Sequence, residues 1–207
     1  MPTLEHPGVR PLIEAVDAAV VLPTPAAVAD ALRAALCRLI RTEAVELPGC
    51  VFEPVADHYA RRELYRSPAH GYSVVAMTWG PRQGTPIHDH AGQWCVEGVW
   101  QGSLEVTPYE LVESRDGRFR FEPRGTMDAG PGSAGSLIPP HEYHTICNPS
   151  DHATAISLHV YRRPLECCAK FSAVGDDWYV RSDCELKLDK GCGSQAHPKL
   201  SGHPAAT

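Results

Sequence analysis

The chain has 207 residues, a formal net charge of -6 and a pI near 6.0, a balance that argues against an electrostatic nucleic-acid binder. With 43% hydrophobic and 21% charged residues it has the composition of a globular protein long enough for one well-buried core. The longest apolar stretches are too short to span a bilayer, and Met1–His6 lacks the basic start and apolar centre of a secretory signal, so a cytoplasmic protein without a membrane or protein partner is expected.

Taken in order, the first segment reads as a helix, with Leu12, Ile13, Val16, Ala19 and Val20 recurring at helical spacing after Pro11. A second helix starts at Thr24 as N-cap with Pro25 in the first turn, and Val28, Leu32, Leu36, Leu39 and Ile40 form its apolar stripe. A third, short helix is expected around residues 55–64, carrying Tyr59, Arg61 and Arg62. From Tyr72 the period changes to two. Strands are expected at 72–79, 94–100, 103–109, 118–122, 136–138 and 154–161, with Asp116-Gly117 as a hairpin turn and a last pair of strands within 178–188. Many short strands without intervening helices indicate an antiparallel sandwich or barrel. The expected organisation is therefore an N-terminal helical cover (1–68), a β-barrel (69–190) and a loose Gly/Pro/Ala-rich tail (191–207), together one structural domain.

Chemistry concentrates in Pro86-Ile87-His88-Asp89-His90 and its downstream echo Pro140-His141-Glu142-Tyr143-His144. Alternate side chains of a strand point to opposite faces, so His88 and His90 share a face and Asp89 takes the other, where it braces the loop. Two neutral imidazoles on one face begin a metal site, and His144 is the strongest candidate for the third ligand. Eight cysteines are present, but no Cys-x-x-Cys pair occurs and the chain is too large to need a disulfide framework, so reduced thiols are expected. Ser157-Leu158-His159-Val160-Tyr161 puts Ser157, His159 and Tyr161 on one strand face. Buried, such a row must bond to itself or to a ligand; a solvent-facing row is the alternative. Tyr59-Ala60-Arg61 reads equally well as a helix surface.

The two histidine stretches resemble the paired motifs of the cupin superfamily: His88-x-His90 with Cys95 and Gly102 following, then Pro139-x-His141-x-x-His144-x-x-x-Asn148. Two positions depart from that pattern, because Arg82 stands where a glycine is expected and Cys95 where an acidic ligand is expected. With Tyr59-x-Arg61, Trp79-Gly80, Gln101-Gly102 and the Ser157–Tyr161 row, the chain resembles the cysteine dioxygenase family of thiol dioxygenases between about Tyr59 and Cys168. The resemblance implies a mainly β, jelly-roll cupin barrel with N-terminal helices. It implies one mononuclear non-haem Fe(II) per chain, held by His88, His90 and His144, and oxidation of a small thiol acid to a sulfinate by O₂, with both oxygen atoms inserted at sulfur.

In that reading Arg61, with Tyr59, binds the substrate carboxylate, and Tyr161, backed by His159 and Ser157, serves the chemistry. Cys95 is placed to join Tyr161 through a thioether bond, as in animal members of the family. Arginine in place of glutamine near Tyr59 favours L-cysteine over 3-mercaptopropionate, with the adjacent Arg62 as the competing position. A non-redox zinc or manganese cupin, such as an isomerase, and a cupin that binds a small acid without converting it are the other readings.

Overall fold

A computed structural model describes residues 6–189; the tail expected beyond Lys190 lies outside these residues. After a short 3₁₀ turn at Pro7–Val9 come two helices, α1 (Arg10–Val20) and α2 (Pro25–Arg41). The start of α2 is the expected one: the Thr24 hydroxyl accepts a hydrogen bond from the Ala27 N–H at 3.2 Å, with Pro25 in the first turn. Among the described residues no helix is long and apolar enough to cross a membrane.

Among the described residues twelve strands follow: β1 (Ala60–Arg66), β2 (Ser73–Trp79), β3 (Ile87–His88), β4 (Cys95–Gln101), β5 (Leu104–Arg115), β6 (Arg118–Pro123), β7 (Met127–Ala129), β8 (Ala134–Leu137), β9 (His144–Cys147), β10 (Ala155–Tyr161), β11 (Cys167–Gly175) and β12 (Trp178–Glu185). The fold is mainly β, a jelly-roll barrel with N-terminal helices. One sheet has the order β1-β2-β10-β4-β8, every neighbour antiparallel. The other runs β6-β12-β11-β3-β9-β5-β7, and because β6 pairs with β5 as well as with β12, it closes into a ring. Ring closure leaves the six strands from β6 to β5 without free edges, and β7 lies outside the ring, paired on β5.

Three apolar clusters hold this together. The helices lie on the outer face of the first sheet, where Leu32, Leu36, Leu39 and Ile40 of α2 meet Val74, Ala76, Val96, Leu158 and Val160. Close approach is needed here: a Cβ at Gly98 would stand 3.3 Å from Ile40 Cδ1. The closed ring is filled by Ile87, Phe121, Ala169 and Phe171 with Tyr143 packed against them. Between the two sheets lie Val75, Met77, Trp79, Cys95, Val99, Leu104 and Tyr161.

The hairpin at Asp116-Gly117 joins β5 to β6 with both residues at positive φ (51° and 72°), the backbone that a two-residue hairpin of this twist requires. Arg82, in the place where the motif expects a glycine, itself has φ 59°, so the left-handed turn is kept without the residue that adopts it most easily.

Three expectations are corrected. Residues 60–66 are not helical: β1 is added to the edge of the first sheet, with Ala60 opposite Thr78 and Arg62 opposite Ala76. Leu64 then joins the helix-facing core, and the charges of Arg66 and Glu63 pair at the edge, a common way for an edge strand to resist further pairing. Residues 178–188 hold one strand rather than a pair; its partner is β11, which starts earlier, at Cys167. Cys37, Cys95, Cys147, Cys167, Cys168 and Cys184 are free thiols, whereas Cys50 is disulfide-bonded, against the expectation of reduced thiols throughout.

Candidate metal centre

Strand β3 is only two residues long, and its alternation decides the site. Ile87 turns into the ring's apolar filling, so His88 turns out towards the first sheet. Opposite it, in register on β9, is His144. His90 follows just past the end of β3. The three imidazoles converge, with ring centroids 4.6–5.2 Å apart and His88 Nε2 3.2 Å from His144 Nε2. Each offers one nitrogen to a common point, with the ligand atoms within 4.8 Å of one another.

The far side of each ring is held by a different acceptor. His88 Nδ1 lies 3.1 Å from the Pro86 carbonyl, His90 Nδ1 3.7 Å from Glu142 Oε2, and His144 Nδ1 3.7 Å from Glu97 Oε1. Glu142 also accepts the His90 backbone N–H at 2.7 Å, which fixes the backbone of a ligand position. Asp89 faces away, as expected, and its Oδ1 accepts the N–H groups of Ala91 and Ala169, tying the loop after β3 to β11. His141 is exposed and turned from the cluster.

Burial keeps these imidazoles neutral. It lowers His88 to about 4 and pushes His90 and His144 well below the usual histidine value, the neighbouring imidazoles adding to the effect for the latter two. Neutral nitrogens are what a metal requires of histidine. His90 Nδ1 and His144 Nδ1 are buried with no hydrogen bond of full quality. Each has a carboxylate just beyond bonding distance, the arrangement that orients metal-binding imidazoles. The residues present therefore fit a divalent metal with three neutral nitrogen ligands.

The row on β10 is buried, not solvent-facing. Trp79 Nε1–H donates to Ser157 Oγ at 2.8 Å, Ser157 Oγ lies 2.8 Å from His159 Nε2, and the ring of Tyr161 stacks 6.0 Å from that of His159 and 6.3 Å from that of His90. Burial, with the Arg61 charge second, lowers His159 to about 3. Cys95 stands directly across from Tyr161 in the β4–β10 register, both are almost wholly buried, and burial pushes both groups well up from their ordinary values.

Tyr59, Arg61, His88, His90, His144, His159 and Tyr161 line one cavity. Tyr59 stacks on Trp79 at 4.5 Å. The β1 alternation separates the two arginines. The Arg61 guanidinium enters the cavity and donates to the carbonyls of Leu165 at 3.2 Å and Lys187 at 3.4 Å. Arg62 takes the other face and donates to Thr78 Oγ1 and the Glu53 carbonyl. Arg61 is 5% exposed, and among the described residues no carboxylate forms an ion pair with its guanidinium.

Four residues were not anticipated. Cys168 and Lys170 of β11 line the cavity; nothing in the local pattern pointed to them, because β11 itself was not expected. Glu142 lies inside the second histidine stretch, where its alternation with neighbours gave no role. Glu97 was the most legible of the four. It follows Cys95 by two in an expected strand, so it shares the face of Cys95, and it is 8% exposed, with burial raising its carboxyl to about 7.

The sequence profile of the family described as "Cysteine dioxygenase type I" matches residues 53–174. Among curated proteins, cysteine dioxygenase type 1 of Danio rerio is 27% identical over 100 residues, covering 48% of this chain and 49% of its own length, and that of Rattus norvegicus is 24% identical over the same span. Human cysteine dioxygenase type 1 is 25% identical over 108 residues. The match thus spans about half the length of these relatives. Among solved structures, a Thermus thermophilus protein has a TM-score of 0.44 at 18% identity, covering 58% of this chain and 98% of its own. Oxalate oxidase in complex with glycolate has a TM-score of 0.40 at 17% identity, covering 53% of each chain.

Proposed function

The chain belongs to the cysteine dioxygenase type I family, and from that membership and the three converging imidazoles we propose that it is a non-haem Fe(II) thiol dioxygenase, oxidising L-cysteine with O₂ to cysteine sulfinate. The observation that carries the reading is the buried guanidinium of Arg61, without a carboxylate partner among the described residues, in the same cavity as His88, His90 and His144. A cation without an anion in a nearly closed cavity is costly, and a substrate carboxylate completes it. Arg61 keeps N–H groups free beyond those spent on Leu165 and Lys187, enough for a bidentate clamp that fixes where the substrate sulfur lies. Arg62, on the other face, does not serve.

Bound iron would supply the redox chemistry that couples O₂ to a thiol sulfur. The reaction balances without a further reductant: one thiol and one O₂ give one sulfinic acid, sulfur losing four electrons and the two oxygens gaining them. Tyr161 presents its hydroxyl to the reacting end of the cavity. His159 and Ser157, tied to Trp79, sit behind it and hold its strand face in place. Tyr59, stacked on Trp79, lines the carboxylate end beside Arg61. Cys95 opposite Tyr161 is positioned to form a thioether with the phenol, the thiol and one ring carbon each losing a hydrogen in a two-electron oxidation for which O₂ would be the oxidant, and the bond would fix that ring over the site.

Oxygen uptake by the iron-loaded protein tests the reading, with L-cysteine, 3-mercaptopropionate, cysteamine and homocysteine compared. The expected result is one O₂ consumed per sulfinate formed, fastest with L-cysteine and poor with cysteamine, which lacks the carboxylate. Preference for 3-mercaptopropionate would move the substrate to another thiol acid. Iron bound in full with no uptake on any thiol would leave the non-redox metal cupin or the small-acid binder.

A further inference from the structure

Glu97 is a buried carboxylate that the function proposed above does not use. Its two oxygens face two different imidazoles: Oε1 lies 3.7 Å from His144 Nδ1, and Oε2 lies 3.3 Å from His159 Nδ1. Both of those nitrogens and Glu97 Oε2 are buried polar atoms without a hydrogen bond of full quality. Three of the four such atoms among the described residues therefore meet at this one carboxylate, the fourth being His90 Nδ1. Buried polar groups left in this state are rare, and here each has its natural partner close by, at 3.3 Å for His159 and 3.7 Å for His144 and His90.

One arrangement gives every donor here an acceptor. Trp79 Nε1–H can only donate, and it donates to Ser157 Oγ. The Ser157 hydroxyl can then give its own proton to His159 Nε2, 2.8 Å away; the reverse, with Nε2–H donating to Ser157 Oγ, would set the Nδ1 lone pair against the Glu97 carboxylate at 3.3 Å. With Nε2 accepting, the single proton of the neutral His159 ring is on Nδ1, which faces Glu97. On the other side, His144 turns Nε2 towards His88 and His90, so its proton is also on Nδ1, and it too faces Glu97. A carboxylate, which only accepts, satisfies both rings at once; an amide or an alkyl group does not.

We infer that Glu97 is a positioning residue that ties the metal ligand His144 to the Ser157–His159 pair, setting the tautomer of both rings. The inference rests on the metal reading for His144, but not for His159. It also accounts for the departure at Cys95. The position expected to carry an acidic ligand holds a thiol, and the glutamate stands two residues further along the same strand face, its backbone about 7 Å on and its carboxylate within 4.8 Å of the Cys95 thiol. That shift moves it from the metal's own ligand set to the back of one ligand ring. The negative charge would stay close to a bound metal without Glu97 being one of the residues that hold it.

The test uses the full chain labelled with ¹⁵N-histidine at pH 8, in two states: metal-free, and loaded with zinc as a diamagnetic probe. The wild type is expected to show the His159 proton on Nδ1 in both states and the His144 proton on Nδ1 in the zinc-loaded one. Glu97→Leu should release the His159 tautomer and speed zinc loss to a chelator by roughly 10–100-fold, the range seen when a partner behind a ligand histidine is removed. Glu97→Gln keeps the shape but presents an accepting oxygen to only one of the two rings and an NH₂ donor to the other, so it should also speed zinc loss while folding normally; it carries both readouts if the leucine variant does not fold. A merely structural role would lower the unfolding midpoint and leave the His159 proton where it is. Unchanged tautomers in these variants, with zinc loss within about twofold of wild type, would overturn the inference. A wild type that takes up neither zinc nor iron would instead overturn the metal reading and the His144 half with it; the His159 proton in the metal-free protein still decides the other half.

Discussion

Strand β10 is buried along its whole length, yet its two faces have opposite chemistry. Ile156, Leu158 and Val160 point outward into a wholly apolar layer beneath α1 and α2. Ser157, His159 and Tyr161 point inward, where β4 adds Cys95 and Glu97 and the second sheet brings His88 and His144. Both faces exclude water to the same degree. On the outer face every contact is interchangeable in kind and contributes through area; on the inner face each polar atom needs one particular partner. The outer layer therefore carries stability, and the inner one spends part of it to hold reactive groups where water cannot satisfy them.

The largest effect should come from exchanging one residue on each side of that divide. Leu158→Ala should cost about 2–5 kcal/mol of stability, as a cavity in a packed layer does, and leave metal stoichiometry at the wild-type value. His144→Ala should do the reverse, abolishing metal binding and sulfinate formation at a smaller loss of stability, whereas His141→Ala should leave metal content unchanged. Thermal unfolding and metal analysis on the variants check this. Full metal occupancy in His144→Ala would break the comparison, because the inner face would then not be built around that ligand.

A second, smaller effect separates two neighbours on β1. Arg61→Ala should raise KM for L-cysteine by roughly a hundredfold, the loss expected from a charge-assisted bidentate pair in a dry cavity, with little change for cysteamine. Arg62→Ala should show no such selectivity. Steady-state kinetics with both substrates decide it, and a selective loss in Arg62→Ala alone would put the carboxylate site on the wrong face of the strand.

The smallest effect is the pH dependence of the metal-free protein. His88 at about 4 and His159 at about 3 lie below the ordinary value of 6.5, and His90 and His144 are lowered too, so below about pH 6.5 the unfolded chain binds more protons at these rings than the folded one. Their contribution is complete above 6.5 and is lost as pH falls. Glu97, raised from 4.5 to about 7, has the opposite sign and costs stability as pH rises through that window. Four lowered rings against two raised carboxyls, Glu97 and Glu142, and the raised His58 outside the cavity give a net fall in unfolding temperature between pH 7 and pH 5: Leu158→Ala should keep the slope and Glu97→Leu should steepen it. A flat profile in the wild type would mean that the rings are already charged when folded.

Much of this was legible from the chain alone. Thr24-Pro25 with its apolar stripe, the Asp116-Gly117 turn and the switch to period two are local signals, and each corresponds to an observed element. The shared face of His88 and His90, the opposite face of Asp89 and the common face of Ser157, His159 and Tyr161 follow from strand alternation, which needs no knowledge of neighbours. What stayed hidden was relational. Tyr59 to Leu64 carried no strong period, and only pairing with β2 made β1 a strand and sent Arg61 and Arg62 to opposite sides. β11 was invisible until β12 and β3 flanked it, which is why Lys170 and Cys168 were not anticipated. Alternation puts Glu97 on the face of Cys95, a reading not drawn from the sequence, and could not have set it against His144, whose strand lies in the other sheet. A sequence encodes which face a side chain takes; which face of which other strand it meets is fixed by long-range register, and that is settled only when the two sheets close over one another.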